Sequence, residues 1–226
     1  MHFDFSFVPN YLPYYLEGVK YTLLISLITV FFGAIFGSLL FFIKTSNFHV
    51  WKIKPLKILA VIYIEIVRGT PMLLQILIMY AGSKMFFGID LSPFTSAIIA
   101  IALNSAAYVS EIVRAGIEAV DKGQMEAARS LGMKKSTAMM LIVIPQAVKN
   151  ILPAIGNEFV AIIKESSMAS IIGVNELMFA GKVVVGSTYL GLEPYIVAAG
   201  FYFIMTFTLG RIISLIERRM KKSDSR

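Results

Sequence analysis

Eight side chains that could grip a solute lie in stretches otherwise apolar enough to cross a membrane. They are Glu65 and Arg68, then Asn104, Ser105, Tyr108 and Glu111, then Asn157 and Glu158. Ionisable groups are costly in lipid, so those inside a span face protein or water and mark a path or a site. Their chemistry is recognition of charge. No nucleophile with a base is visible, His2 and His49 are isolated, and the absence of cysteine removes disulfides and thiolate metal sites. Beside Arg68, Gly69-Thr70-Pro71 interrupts a helical stretch. Proline removes an N–H and disfavours helix at Thr70. A helix restarted there would turn free N–H groups, with Arg68 or the amides near Thr70, toward an anion. Glu158, helped by Asn104 and flanked by Ser105 and Asn157, suits a cation. The plainer alternative is structural: Glu65 and Arg68, at i and i+3, would neutralise each other, and Lys164 and Glu165 would pair with neighbouring helices. Met72, Met79 and the Phe31-Phe32 and Phe41-Phe42 pairs read as packing.

The elements that position these groups are membrane helices. Of 226 residues, 57% are hydrophobic, well above soluble domains, so one domain is expected, solvated mostly by lipid. A span needs about 20 mostly apolar residues. Val19–Ile43, Ile58–Ala81, Phe94–Val113 and Tyr195–Leu215 meet that directly. Ile151–Ile172 is a fifth, whose Asn157, Glu158, Lys164 and Glu165 must avoid lipid. The first is not read as a cleavable signal peptide, since its apolar run is too long and its approach is acidic and aromatic. Tyr11, Tyr14 and Tyr15 before it read as an interfacial belt, and Gly173–Glu193 as a short helix plus loop.

Charge orients the spans. Lys44, Lys52, Lys54 and Lys57 follow span one; Arg114, Lys122, Arg129, Lys134, Lys135 and Lys149 follow span three; Arg211, Arg218, Arg219, Lys221, Lys222 and Arg226 close the chain. With five spans these sixteen of 21 basic residues share one side, against Lys20, Lys84 and Lys182 on the other. Basic flanks stay cytoplasmic. The expectation is an all-α polytopic protein with its N-terminus outside and its C-terminus inside. The net charge of +7 then reflects membrane orientation and not nucleic acid.

The longest cytoplasmic stretch, Asp121–Pro153, mixes charge with apolar residues at helical spacing. Asp121 is a plausible N-cap for a helix that Gly132 stops in a left-handed turn. A second helix is expected from about Ser136 to Ile144, ended or kinked by Pro145. The surface so formed needs a partner in water.

Here the chain resembles a known family. Glu126-Ala127-Ala128, three residues, Gly132, nine residues, then Ile142-Val143-Ile144-Pro145 resembles the EAA loop of bacterial ABC-importer permeases, with Ile144 where leucine is usual. Glu65-Ile66-Val67-Arg68-Gly69-Thr70-Pro71 followed by Gln75 resembles a second-span signature of the polar amino-acid group. Leu152-Pro153-Ala154-Ile155-Gly156-Asn157-Glu158-Phe159, then Lys164-Glu165-Ser166-Ser167, resembles its fourth span, and Gly18-Val19-Lys20-Tyr21-Thr22-Leu23 fits as well.

The resemblance implies an importer permease for a polar amino acid of the histidine, glutamine or arginine type, in the cytoplasmic membrane. Two permease subunits, identical or similar, would form the pore and receive substrate from an extracytoplasmic binding protein. Glu126, Ala127, Ala128, Arg129 and Gly132 would couple each to a subunit of an ABC ATPase dimer, which binds ATP and magnesium. Small residues allow that close approach, and a carboxylate near a helix start suits the dipole. The chain itself has no P-loop: Gly181-Lys182 is followed by valine and lacks the upstream glycine. The alternatives are a self-sufficient secondary transporter or channel, which would carry substrate alone, and an intramembrane enzyme, for which no catalytic cluster is visible.

Overall fold

A computed structural model describes residues 3–46 and 54–222, so His2, His49, Lys52 and Arg226 lie outside the described residues. The regular elements among those described are all helices, without strands. Four helical bodies are long and apolar enough to cross a membrane, or five if one sharply bent pair counts as a span.

Helix α1 (Val8–Thr45) starts eleven residues before the expected span. Pro9 falls in its first turn, where an N–H has no partner to lose. The early start changes the role of Tyr15. Tyr14 is exposed and Tyr11 half-buried, but Tyr15 is fully buried, stacked on Phe201 at 5.8 Å, with its hydroxyl donating to the Pro194 carbonyl at 3.0 Å. It is a bolt between the first helix and the last, and not a member of an interfacial belt.

The expected second span is two helices, α2 (Pro55–Gly69) and α3 (Met72–Phe87), bent by 109° at Thr70-Pro71. Both break residues are extended, as the sequence implied. Helix α4 (Pro93–Glu118), capped by the Ser92 hydroxyl on the Thr95 N–H at 3.1 Å, is the central post and buries residues on most of its faces. Its most extensive partner is α1. With no hydrophobic drive between helices in lipid, close backbone approach replaces it. Gly33 and Gly37 of α1 lie flat on α4: a Cβ at Gly37 would stand 2.6 Å from the Val109 Cβ and 2.7 Å from the Ala106 carbonyl oxygen.

After α5 (Lys122–Ser130), the chain climbs as one body from Lys135 to Ile172. It comprises α6 (Lys135–Ala138), a π turn (Met139–Val143), α7 (Ile144–Glu165) and a 3₁₀ end (Ser166–Ile172). Of the two outcomes expected at Pro145, an end is excluded: the helix passes through the proline. The π turn sits immediately before the proline, and there the Ile144 N–H reaches the Met139 carbonyl. The Gln146 side chain donates to the Ile142 carbonyl at 3.0 Å. The helix thus absorbs the missing proline N–H by widening, a known use of π turns.

Helices α8 (Leu177–Thr188) and α9 (Glu193–Lys222) complete the bundle. The expected short helix within Gly173–Glu193 is α8. Glu176 caps it from a fully buried position, accepting from the Met178 and Phe179 N–H groups at 2.9 and 2.8 Å and from the Tyr202 hydroxyl at 2.6 Å.

Candidate functional site: a broken helix facing the central post

Pro71 cannot donate to the Val67 carbonyl, so the break strands backbone acceptors that need donors. Gln75 supplies them. Its Nε2 shares two N–H donors among three acceptors, the Val67 carbonyl at 2.7 Å, the Thr70 carbonyl at 3.1 Å and the Thr70 hydroxyl at 2.9 Å. Thr70 Oγ1 in turn donates to the Ile66 carbonyl at 2.9 Å. On its other side, Gln75 Oε1 accepts from Asn104 Nδ2 at 2.9 Å. One side-chain amide therefore closes the break and ties it to α4.

The same face of α4 receives α2 twice more. Tyr63 donates to the Leu103 carbonyl at 2.7 Å, and the Arg68 guanidinium lies over the Tyr108 ring, 5.4 Å from its centre. Arg68 and Glu65 form no ion pair among the described residues; the nearby carboxylate Glu111 is engaged instead by Lys44 at 2.6 Å and Arg114 at 2.9 Å. The i, i+3 neutralisation allowed by the sequence is thus not what the structure shows. A groove of about 280 Å³ opens beside the break, lined by apolar residues and by Tyr63, Thr70 and Gln75. Leu74 and Gln75 donate back to the Pro71 carbonyl at 3.0 and 3.3 Å, so the first N–H groups of α3, on Met72 and Leu73, precede its helical ladder.

Arg68, Thr70 and Asn104 are therefore gathered across α2, α3 and α4. Glu158 and Ser105 meet on the adjoining side of α4. Ser105 is almost wholly buried, and its hydroxyl has no hydrogen-bond partner. It stands in the electrostatic reach of the half-buried Glu158, which Glu165 also faces from the same helix. Asn104 and Ser105 are consecutive, so the two groups adjoin along α4, but no ion pair links Glu158 to Arg68. Asn157 is exposed. Sequence reasoning left Gln75 out of the site. Its signal was present: a side-chain amide four residues after a helix-breaking proline can reach back to the stranded carbonyls.

A second constellation lies where α5 leaves α4. Asp121 caps α5 as expected, accepting from the Gly123 N–H at 2.6 Å. The helix ends in a Schellman turn: Gly132 N–H to the Arg129 carbonyl at 3.0 Å, Met133 N–H to the Ala128 carbonyl at 3.1 Å, and Gly132 at φ +83°. Met125 packs with Val120, Val143 and Ala147, and α5 is seated against α6 and the π turn. The alanine pair divides: Ala128 is buried at 2% exposure, while Ala127, Glu126 and Arg129 are exposed. Leu131 stands 85% exposed beside them, and Arg129 donates to the Met133 carbonyl at 3.0 Å. Among the described residues no group of three or more acidic or histidine side chains could hold a metal.

Residues 50–222 match the family described as the inner membrane component of binding-protein-dependent transport systems. The chain is 40% identical to the arginine transport system permease protein ArtQ of Bacillus subtilis (strain 168), covering 99% of this chain and all of that one. It is 35% identical to the glutamine transport system permease protein GlnP of Escherichia coli (strain K12), covering 98% and 99%. Among solved structures, it matches a chain from a crystal structure of an amino acid ABC transporter with histidines at 46% identity and TM-score 0.91, over 97% of this chain and all of that one. A chain from an inward-facing MetNI methionine ABC transporter shares the fold at TM-score 0.76 and 17% identity, over 96% and 99%. A broken second span, a central small-residue post and a seated, capped α5 thus belong to a multi-pass membrane protein, and the chain is a member of the family of inner membrane components of binding-protein-dependent transport systems.

Proposed function

We propose that this chain is the permease subunit of an ATP-driven importer that carries a polar amino acid across the bacterial cytoplasmic membrane by alternating access. The carrying observation is the family match together with the exposed, rigidly terminated tip of α5. Glu126, Ala127, Arg129 and Leu131 offer a partner a carboxylate, a close-approach position, a cation and an apolar knob. In this reading the end of the molecule bearing α5 is cytoplasmic, as the basic flanks require. The permease works as a pair, each α5 seats in one subunit of the ATPase dimer that holds ATP and magnesium, and a binding protein delivers substrate to the opposite end. Glu126 pairs with the ATPase and Gly132 sets the angle at which force enters α7.

The substrate path runs past the break in α2–α3 and along α4. Arg68 and the first amides of α3 suit a carboxylate. Glu158, with Ser105, Asn104 and Asn157 nearby, suits an ammonium. The arginine and glutamine named for the relatives both carry such a pair of groups, and Glu158 also suits a cationic side chain.

The test is reconstitution with the cognate ATPase and binding protein in vesicles, measuring uptake and ATP hydrolysis over a panel of amino acids. Glu126→Ala removes a charged hydrogen-bonding partner, of the order of 1.5–3 kcal/mol. It should lower substrate-stimulated hydrolysis at least tenfold with the permease still folded. Glu158→Gln and Asn104→Ala should weaken uptake while basal hydrolysis persists. Unchanged uptake and affinity in both would remove the substrate assignment without touching the coupling one.

A further inference from the structure

Helix α9 is an edge element. One side packs on α7 and α8, and the opposite side exposes Phe203, Phe207, Arg211, Leu215 and Arg218, which share one face at helical spacing. The Phe203 and Phe207 rings stack at 5.5 Å, and the Arg211 guanidinium lies over the Phe207 ring, 5.1 Å from its centre. A cation over an aromatic face leaves the guanidinium's forked N–H donors, which lie in the plane of the group, free for an anion.

No such anion comes from the described residues. Arg211, Arg218 and Arg219 have no carboxylate partner among the described residues, whereas Lys44 and Arg114 are tied to Glu111 and Glu118. Glu217, the acid of this stretch, is half-buried and already engaged. Orientation bias accounts for basic residues beyond a span. It does not say what Arg211, on the last turn of the expected span Tyr195–Leu215, meets where it folds onto a ring.

We infer that this face of α9 binds an anionic phospholipid, with Arg211 and Arg218 as ligands of its phosphate region. Charge complementarity selects the occupant. Exposed Phe203, Phe207 and Leu215 give acyl chains a surface, and two arginines about 10.5 Å apart along the helix offer forked donors to phosphate oxygens. The inference rests on the membrane location and not on the substrate reading.

The assembled transporter, purified in detergent, is titrated with phosphatidylglycerol or phosphatidylcholine, and bound lipid is counted per complex by native mass spectrometry. The wild type should retain phosphatidylglycerol in preference. Arg211→Gln and Arg218→Gln should each weaken that binding about fivefold, from about 1 kcal/mol per basic residue near a charged surface. Phosphatidylcholine binding should not change. Lys84→Gln, an equal charge change at the far end of α3, should have no effect, and the double Arg→Lys variant should keep most of the preference. Equal retention of both lipids by the wild type, or a double Arg→Gln variant that keeps the preference, would overturn the proposal. So would loss of the ATPase or of a second permease chain from that variant with lipid retention intact, which would make the face a protein interface.

Discussion

Gln75 Nε2 serves two carbonyls that a continuous helix would have met with backbone, together with the Thr70 hydroxyl, and the side chain hands Asn104 an acceptor besides. Truncating it leaves the Val67 and Thr70 carbonyls and the buried Asn104 amide short of partners, each such loss costing about 1–3 kcal/mol. Gln75→Ala is therefore expected to lower the melting temperature of the solubilised protein and to depress uptake. The stranded Val67 carbonyl exists because residue 71 is proline, so Pro71→Ala returns an N–H to it. In the double variant Pro71→Ala/Gln75→Ala, part of the Gln75→Ala loss should be recovered. Strictly additive losses, measured by thermal unfolding of the four proteins in the cycle, would show that the amide and the proline are not coupled. At this scale the sequence was partly legible. Thr70-Pro71 announced the break, because proline acts on its own backbone and its neighbour's. The side chain that closes the break, and the unpaired Ser105 hydroxyl beside Glu158, depend on contacts across helices that no local rule supplies.

Helices α1 and α4 meet through glycines because bulk would hold them apart. Gly37→Ala places a methyl against Val109 and the Ala106 backbone. Overpacking of this kind costs about 1–3 kcal/mol. A clear fall in melting temperature is expected, whereas Gly200→Ala in α9, with nothing within 4 Å of the added carbon, should leave it unchanged. Equal behaviour of the two would mean that the close approach contributes nothing. Gly132 is a different case. A Cβ there meets nothing, but φ is +83°, and a β-branched residue in the left-handed region costs of the order of 1–2 kcal/mol. Gly132→Val should thus distort the end of α5 and uncouple substrate from hydrolysis more than it unfolds the bundle, a difference read by comparing stimulated and basal ATPase rates. Element ends proved legible where one residue decides them: Asp121 as cap, Gly132 as stop. They were not where neighbours compensate. Pro145 left an end or a kink open, where the π turn lets the helix continue, and the aromatic N-terminal run concealed eleven more residues of α1.

Seen along its length, α4 is a post of 26 residues, about 39 Å, with Met85 of α3 near its start and Leu131 of α5 near its finish. The basic residues divide unevenly between these ends. Lys44, Arg114, Lys122, Arg129, Lys134 and Lys135 gather where α1 and α4 finish, and Lys84 with Lys182 lies toward the other. That asymmetry was readable from the sequence because charge bias depends on where basic residues fall between apolar runs and not on how the runs pack. It makes a prediction that packing alone does not. The chain contains no cysteine, so Met85→Cys and Leu131→Cys each introduce a single thiol at positions 80% and 85% exposed. Neither side chain has a recorded role in the fold, and both variants should insert normally. In intact cells a membrane-impermeant maleimide should label the Met85→Cys thiol and spare the Leu131→Cys thiol; in inverted membrane vesicles the pattern should reverse. Adding the ATPase to the inverted vesicles should then protect the Leu131→Cys thiol, since that side chain stands beside Glu126 and Ala127 on the surface assigned to coupling. Labelling of both thiols from one side would break the odd count of spans. Labelling of the Leu131→Cys thiol that the ATPase does not slow would move the coupling surface away from the tip of α5 while leaving the orientation intact.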